Sequence, residues 1–210
     1  MHSHEPDMLN TGVPVETRDA AVVILAAGRS SRMKELKAFL PFRDNVNFIE
    51  QIASTYYNWG CSQIVVVAGR EAMLRLEQHA GIQSAATLVV NDHPEHERFY
   101  SVKLGVGAVQ KASFCFIQNV DNPFIDSPIL DVIYEQRSED QYVSPVFDNK
   151  RGHPVLLNRK NMECIAVWSE NSANFKEVLN TMQCRDVRMP DEKVLININS
   201  PEEYQRFFIH

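Results

Sequence analysis

The stretch Ala21-Val-Val-Ile-Leu-Ala-Ala27, followed at once by Gly28, decides the fold class of this chain. A continuous apolar run that is short, rich in β-branched residues and ended by glycine predicts a strand buried on both faces of a parallel sheet. Further runs of this kind follow at 64–68, 87–90 and 114–118. The first half of the chain is therefore expected to supply four buried parallel strands.

Helical patterns separate these strands. Apolar residues recur at helical spacing between the runs, and alternation of strands with helices predicts an α/β fold, a Rossmann-like three-layer sandwich around a mostly parallel central sheet. The predicted helices cover residues 47–59, 71–79, 101–111 and 127–136. Ser101 is the expected N-cap of the third helix.

The pattern changes after residue 140. A small antiparallel hairpin is predicted over 142–157, as an excursion at one edge of the sheet. The later predictions are helices near 159–167 and 174–182, a strand at 194–198 and a helix opened by Ser200 and Glu203 at capping-box spacing. We expect residues 1–18 to be a flexible segment and residues 19–210 to form a single domain.

Charge and composition argue against several classes of function. The 210 residues carry a formal charge of −6, which argues against nucleic acid as a partner. No apolar run approaches the roughly 18 residues of a membrane span. The polar N-terminus lacks the pattern of a signal peptide, so a cytoplasmic location away from membranes is expected. The four cysteines form no CxxC pair and are expected to be reduced.

The loop after the first strand carries the strongest chemical signal. Small residues at 26–28 let the backbone approach a ligand, and successive N–H groups in such a turn bind anions. Residues 29–43 contain five cations and one anion, a local charge of +4. This concentration of positive charge suits a triphosphate, although a solvated basic loop has the same composition. Neither GxxxxGK[ST] nor GxGxxG is present, which excludes a P-loop and the dinucleotide fingerprint.

Two further groups are candidates for metal ligation. Asp121 follows the fourth strand and precedes Pro123, where it can either bind Mg²⁺ or cap a turn. His93 and His96 have the spacing of a metal pair, but no third ligand is evident at a set distance in the sequence. The pattern therefore favours Asp121 and assigns the two histidines to a loop.

The loop sequence resembles that of a known family. Leu25-Ala-Ala-Gly-Arg-Ser-Ser-Arg-Met33, with Lys37 and Leu40-Pro41 after it, is similar to the signature of the MobA-like nucleotidyltransferases, and most of all to their molybdopterin cytidylyltransferase branch. The likeness continues through Asp121, through Arg151-Gly-His-Pro154 and to Asn197-Ile-Asn-Ser-Pro-Glu-Glu203. It covers nearly all of the chain from residue 20.

The resemblance implies roles for individual residues. Arg32 and Lys37 would hold the phosphates and act in catalysis, and Asp121 would bind Mg²⁺, with Asn199 as a second ligand. His153 would either line the acceptor pocket or close a hairpin corner. The nucleotide-binding residues that it implies are Leu25, Ala26, Ala27, Gly28, Arg32, Lys37, Asn91 and Ser101.

The reaction implied by the resemblance is a Mg²⁺-dependent nucleotidyl transfer. A nucleoside monophosphate would pass from a nucleoside triphosphate to a small phosphorylated acceptor such as the molybdopterin cofactor, with release of pyrophosphate. CTP is favoured over GTP because Ala26-Ala-Gly28 is similar to the cytidylyl branch. A molybdoenzyme that receives the finished cofactor would be a further partner.

Three departures from the family pattern keep other functions open. Lys34 stands where glycine usually follows Arg-Met, Glu97-Arg-Phe-Tyr-Ser101 replaces a GMxxS-like stretch, and Asn199 replaces an aspartate. One alternative is a catalytically silent relative that binds a nucleotide or cofactor. Another is a cytidylyltransferase that acts on a sugar phosphate or an isoprenoid precursor.

Overall fold

The computed structural model describes residues 16–28, 33 and 35–208. Its strands are β1 (Arg18–Ala26), β2 (Pro41–Arg43), β3 (Val46–Asn47), β4 (Cys61–Ala68), β5 (Ala86–Val90), β6 (Phe114–Asn119), β7 (Tyr142–Phe147), β8 (Lys150–Arg151), β9 (Val155–Asn158) and β10 (Cys184–Arg188). Its α-helices are α1 (Phe48–Trp59), α2 (Arg70–Leu76), α3 (Ala80–Ala85), α4 (Glu97–Ala108), α5 (Ser127–Glu135), α6 (Arg159–Ala166), α7 (Phe175–Asn180) and α8 (Pro201–Phe208). Within this part of the chain, none of the helices combines the length and apolarity of a membrane span.

One large sheet holds all the strands except the β2–β3 hairpin. Its order is β10-β7-β9-β6-β1-β4-β5, with β8 paired to β7. Strand β1 pairs in parallel with β4 on one side and with β6 on the other, and β5 continues in parallel beyond β4. The predicted α/β fold with a mostly parallel sheet is confirmed. The predicted hairpin is integrated into this sheet, because β9 pairs antiparallel with both β6 and β7.

Alternate residues of β1 face two separate apolar layers. Val22 and Ile24 pack on the side of α1 and α5, whereas Ala21 and Val23 pack on the side of α4 and α6. All four residues have no exposed surface. A strand buried on both faces needs apolar residues at every position, which is why the sequence at 21–26 shows no alternation.

Helix α4 begins four residues earlier than predicted. Ser101 is not its N-cap, because the helix starts at Glu97 and Ser101 lies in its second turn, 3% exposed. The Ser101 hydroxyl accepts a hydrogen bond from Asn91 Nδ2 at 2.8 Å, so its oxygen serves a tertiary contact instead of a cap. A serine buried within a helix has the same sequence signal as an N-cap serine, which is why the predicted start lies at Ser101.

The predicted strand at 194–198 is wrong. Residues Glu192–Leu195 form a 3₁₀ helix instead, and Asp191 accepts a hydrogen bond from the Lys193 amide at its start. The buried residues here are Val194 and Ile198, which are four apart and do not show the two-residue period of a strand. The sequence also gave no sign of β10, because only Val187 is buried in this polar edge strand.

Helix α2 also departs from its predicted packing. The apolar residues Met73, Leu74 and Leu76 predict a buried face that includes Leu74, but Leu74 is 64% exposed. Ala72 lies on the buried face in its place, 2% exposed.

Helix α4 approaches the sheet closely at Gly105. A Cβ atom there would collide with the side chain of Val23, and it would also press on Val67. Gly107, two residues further on and on the exposed face, has no heavy atom within 4 Å of the equivalent position. The two glycines therefore form a matched pair in one helix.

We predict opposite effects for alanine at these positions. Gly105→Ala should lower the free energy of unfolding by about 1–3 kcal/mol, because it overpacks the helix–sheet contact. Gly107→Ala should raise it by about 0.4–1 kcal/mol, because alanine restricts the unfolded chain and fits the helix. Urea unfolding followed by circular dichroism measures both. Equal effects of the two substitutions would contradict the close approach.

Candidate functional site

The site lies where the strand order reverses. From β1 the chain adds β4 and β5 on one side and then returns to place β6 on the other side. The loops after β1 and β6 therefore diverge and leave a crevice between them at the carboxyl edge of the sheet, the usual ligand position in open α/β folds. The strands end at the same level at this edge, since Leu25 of β1 pairs with Asn119 of β6 and Ala26 of β1 pairs with Ala68 of β4.

A cavity of about 320 Å³, here called the first cavity, opens at this edge. It brings together all the described residues that the sequence assigned to nucleotide binding, together with Asp121. Its lining residues are Leu25, Ala26, Ala27, Gly28, Leu36, Lys37, Ala38, Asn91, Pro94, Arg98, Ser101, Asn119, Val120 and Asp121. Residues from four segments of the chain thus line one cavity.

The Lys37 ammonium lies between two candidate metal ligands. It donates hydrogen bonds to Asn199 Oδ1 at 2.6 Å and to Asp121 Oδ2 at 3.2 Å. Both Lys37 and Asp121 are largely buried. The other carboxylate oxygen of Asp121, Oδ1, is buried and has no hydrogen-bond partner among the described residues. Two oxygens, one of them charged, therefore already face a cation here.

A buried glutamine fixes the loop that carries Asp121. Gln118 has no exposed surface; it donates hydrogen bonds to the carbonyls of Asn119 and Asn122 and accepts one from the Tyr56 hydroxyl. The loop after β6 is thereby held to the end of its own strand. The backbone amide of Val120 also donates to the Leu25 carbonyl, which ties this loop to β1.

The closing segment is drawn to the same loop by Asn122. Its side-chain amide donates to the carbonyls of Lys193 and Ile196, and the Ile198 amide donates to the Asp121 carbonyl at 2.7 Å. These bonds take up the backbone groups that a strand at 194–198 would need. They also bring Asn199 beside Asp121, 78 positions away in the sequence.

A second cavity, of about 850 Å³, lies beside the first. Its walls come from the β7–β8 hairpin, the turn at Gly152 and His153, and helix α7. Lys150, Arg151 and Lys176 give it a cationic lining, although Arg151 is engaged by Asp186 through two hydrogen bonds. Such a cavity has the volume and charge for an anionic ligand of considerable size.

His153 lies in the wall of the second cavity and not at the hairpin tip. Its backbone amide donates to the Val194 carbonyl, and Gly152 permits this approach because a Cβ atom there would overlap that carbonyl. Its Nδ1 is buried with no partner among the described residues. Burial and the nearby Arg98 guanidinium lower the pKa of His153 to about 3, so the imidazole is neutral near pH 7.

Arg98 is a site residue that the sequence reasoning missed. It lines both cavities, and its guanidinium lies 5.5 Å from the ring centroid of Phe175. Although the residue keeps exposed surface, desolvation by the surrounding protein lowers the pKa of its guanidinium, and the charge of Asp121 raises it. The sequence signal was a cation at the place of the methionine in the GMxxS-like pattern, which the structure places in the first turn of α4.

Some residues of the loop after β1 lie outside the described part of the chain. The site residue among them is Arg32, the second cation expected at the phosphates; Arg29 and Lys34 of the same loop are not described either. The predicted flexible segment also lies mostly outside it, since residues 1–15 are not described.

Comparison with known proteins finds relatives along most of the chain. The model of the MobA-like NTP transferase domain matches residues 22–187. The molybdenum cofactor cytidylyltransferase of Escherichia coli (strain K12) is 28% identical, over 87% of this chain and 92% of the relative. The molybdenum cofactor guanylyltransferase of Xanthomonas euvesicatoria pv. vesicatoria (strain 85-10) is 22% identical, over 88% of this chain and 92% of the relative.

Solved structures share the fold. The crystal structure of Rv0371c from Mycobacterium tuberculosis H37Rv superposes with a TM-score of 0.76 at 20% identity, covering 91% of this chain and 98% of that one. The same protein in complex with manganese superposes with a TM-score of 0.69 at 18% identity, covering 90% of this chain and 97% of that one.

The lowered pKa of His153 predicts acid sensitivity. The unfolded chain binds a proton at this residue below about pH 6.5, whereas the folded chain does so only near pH 3. Its contribution to stability is therefore complete above pH 6.5 and is lost as the pH falls toward 3. Urea unfolding at pH 7.5 and 5.0 should show a smaller loss of stability in His153→Gln than in the parent protein. An equal loss in both proteins would contradict a neutral, buried imidazole.

Proposed function

Because the chain belongs to the MobA-like NTP transferase domain family, we propose that it transfers CMP from CTP to a phosphorylated acceptor of the molybdopterin type. The observation that carries the proposal is that Lys37 and Asp121, which are hydrogen-bonded to each other, line one cavity with the loop after β1, and that Asn199 contacts Lys37 beside it. A phosphate oxygen of the acceptor attacks the α-phosphorus of CTP, and the bond to the β-phosphate oxygen breaks to release pyrophosphate. No protein nucleophile is needed, since the attacking phosphate is already ionised.

The first cavity is the proposed nucleotide site. Backbone around Ala26, Ala27 and Gly28 faces the phosphates, and Lys37 supplies positive charge to oxygens on which negative charge builds during the reaction. Asn91 and Ser101, joined by their hydrogen bond, line the same cavity and are proposed to contact the base or ribose. Arg32 is proposed as a second phosphate ligand on its position in the sequence signature alone.

The residues around Lys37 fit a divalent cation. The unpartnered Asp121 Oδ1 and the Asn199 carbonyl are hard oxygen donors, and the Lys37 ammonium already acts as a cation between the two residues. When bound, Mg²⁺ would neutralise charge on the α-phosphate and pyrophosphate. Asn199 brings no charge of its own, so Asp121 would be the principal ligand of the pair.

The second cavity is the proposed acceptor site. Lys150 and Lys176 provide charge for an anionic acceptor, and the neutral His153 forms part of the cavity wall. Arg98 lies where this cavity meets the first one, which is where the acceptor phosphate must approach the nucleotide. Positioning two bound anions against their mutual repulsion is the main task of such a site.

The choice of CTP rests on similarity. The cytidylyltransferase relative is more similar to this chain than the guanylyltransferase, at 28% against 22% identity. Ala27 adds a methyl group to the cavity wall where the guanylyl branch has glycine, and one methyl group discriminates by about 1–3 kcal/mol.

Pyrophosphate release with molybdopterin and CTP, GTP or ATP tests the proposal. CTP with Mg²⁺ should be the preferred donor. Lys37→Ala and Asp121→Ala should each slow the release by about 10²–10³-fold, the usual cost of losing one group that stabilises transition-state charge. Lys160→Ala and Asp140→Ala are matched controls, because these residues form an exposed ion pair on α6 and before β7.

The outcomes separate the proposal from its alternative. Full activity in both Lys37→Ala and Asp121→Ala would contradict the mechanism. Nucleotide binding by thermal shift without pyrophosphate release from any donor would favour a silent relative, in which Lys37 permanently fills the cation site.

Arg98→Met gives a separate prediction about the junction of the two cavities. The substitution keeps the length of the side chain and removes its charge, so the rate should fall by about 10²-fold. The pKa of His153 should also rise, since Arg98 contributes to lowering it. Nuclear magnetic resonance titration of the imidazole measures this shift without any substrate.

The control for this variant is Arg185→Met. Arg185 is an exposed arginine of β10 that bonds to Gln141 and the Gln136 carbonyl, outside both cavities. It should leave the rate and the His153 titration unchanged. An unchanged His153 titration in Arg98→Met would show that the two side chains do not interact.

A further inference from the structure

We propose that His93, Glu95 and His96 form a binding site for a divalent ion of the zinc class at the rim of the first cavity. These residues lie between β5 and α4, in the turn that contains the 3₁₀ helix Pro94–His96. They form the one cluster of three His, Cys, Asp or Glu ligands found across the described residues. The site is distinct from the Asp121 and Asn199 pair and carries a different donor set.

The three ligand atoms already converge. One atom from each residue lies within 4.8 Å of the other two. His93 Nδ1 is 2.9 Å from Glu95 Oε1, and His96 Nε2 is 3.9 Å from the same oxygen. Zinc bonds of about 2.0–2.2 Å in a tetrahedral site place ligand atoms about 3.3 Å apart. Since the His93 and Glu95 side chains are exposed, small rotations bring the set to that spacing.

Surrounding contacts orient the two imidazoles. The other ring nitrogen of His96, Nδ1, is 3.0 Å from Ser172 Oγ, so a partner outside the cluster holds the ring with Nε2 toward Glu95. Metal-binding histidines usually have such a partner on the second nitrogen. Tyr100 packs edge-to-face against both rings, with centroid distances of 5.6 and 5.1 Å. Ser172 and Tyr100 thus hold the two rings of the cluster.

The backbone of the turn supports the same arrangement. The His93 amide donates to Asn91 Oδ1 at 2.8 Å, and Pro94 fixes one backbone angle between the ligands. Two imidazoles and one carboxylate leave a fourth tetrahedral position for water.

Donor chemistry separates this site from the proposed magnesium site. Imidazole nitrogen suits Zn²⁺, Co²⁺ and Ni²⁺, whereas Mg²⁺ prefers oxygen and keeps its water. In the sequence, the two histidines alone do not indicate a metal site, because no third ligand stands at a motif spacing. In the structure, the 3₁₀ helix Pro94–His96 supplies the third ligand, because it brings the Glu95 carboxylate next to His93.

The test uses Co²⁺ and Zn²⁺ and no substrate. The full chain also contains His2 and His4, outside the described residues, so the reference protein carries His2→Asn and His4→Asn. We expect this reference to bind one Co²⁺ with the visible absorption of a four-coordinate ion. Zn²⁺ should displace the ion, and millimolar Mg²⁺ should leave it in place.

Variants made in the reference protein assign the ligands. His96→Gln and Glu95→Gln should each weaken Co²⁺ binding by more than tenfold, and Ser172→Ala should weaken it by about tenfold through loss of the outer partner. Glu163→Gln, an exposed carboxylate on α6, is the matched control and should bind normally. Circular dichroism confirms that each variant is folded.

Two results would overturn the proposal. One is loss of Co²⁺ binding in the His2→Asn, His4→Asn reference, which would assign the ion to the terminal histidines. The other is unchanged affinity in both Glu95→Gln and His96→Gln. Neither result bears on nucleotidyl transfer, which is measured by pyrophosphate release.

Discussion

The site depends on β1 having a parallel partner on each side. With β4 on one side and β6 on the other, the loops after β1 and β6 must part, and the space between them becomes the first cavity. This arrangement requires a strand that is apolar at every position, because helices cover both faces of the sheet. The run at 21–26 meets that requirement, so the same residues that build the core also determine where the ligand site opens.

The contact of Lys37 with Asp121 and Asn199 is better explained by function than by stability. Removing an ammonium and a carboxylate from water costs free energy that their attraction only partly offsets, so such pairs contribute little net stability. Several hydrogen bonds nevertheless hold the segments that bring Lys37, Asp121 and Asn199 together. They are made by the side chains of Gln118 and Asn122 and by the Asp121 carbonyl. A carboxylate oxygen left without a partner in this cluster is what a bound cation would satisfy.

The sequence was informative where a residue's type alone sets its environment. The four buried strands, the capping box at Ser200 and the convergence of Lys37 with Asp121 follow from hydrophobic runs and from the rule for strand ends. It failed where tertiary contacts decide. Ser101 is a buried partner of Asn91, the 194–198 segment is held by the Asn122 side chain, and the edge strand β10 has one buried residue to signal it.

Arg98 illustrates the same limit within the site. The sequence around Arg98 shows only a cation shortly before the predicted helix 101–111, and its role follows from the charges that the fold places around it. Asp121 lies on one side in the first cavity and the neutral His153 on the other side in the second. A cation at this junction attracts an anion from either cavity and offsets the repulsion between the two. Because His153 stays neutral beside Arg98, positive charge at the junction is concentrated on the arginine, which is the group that can lie between two phosphates without losing its proton.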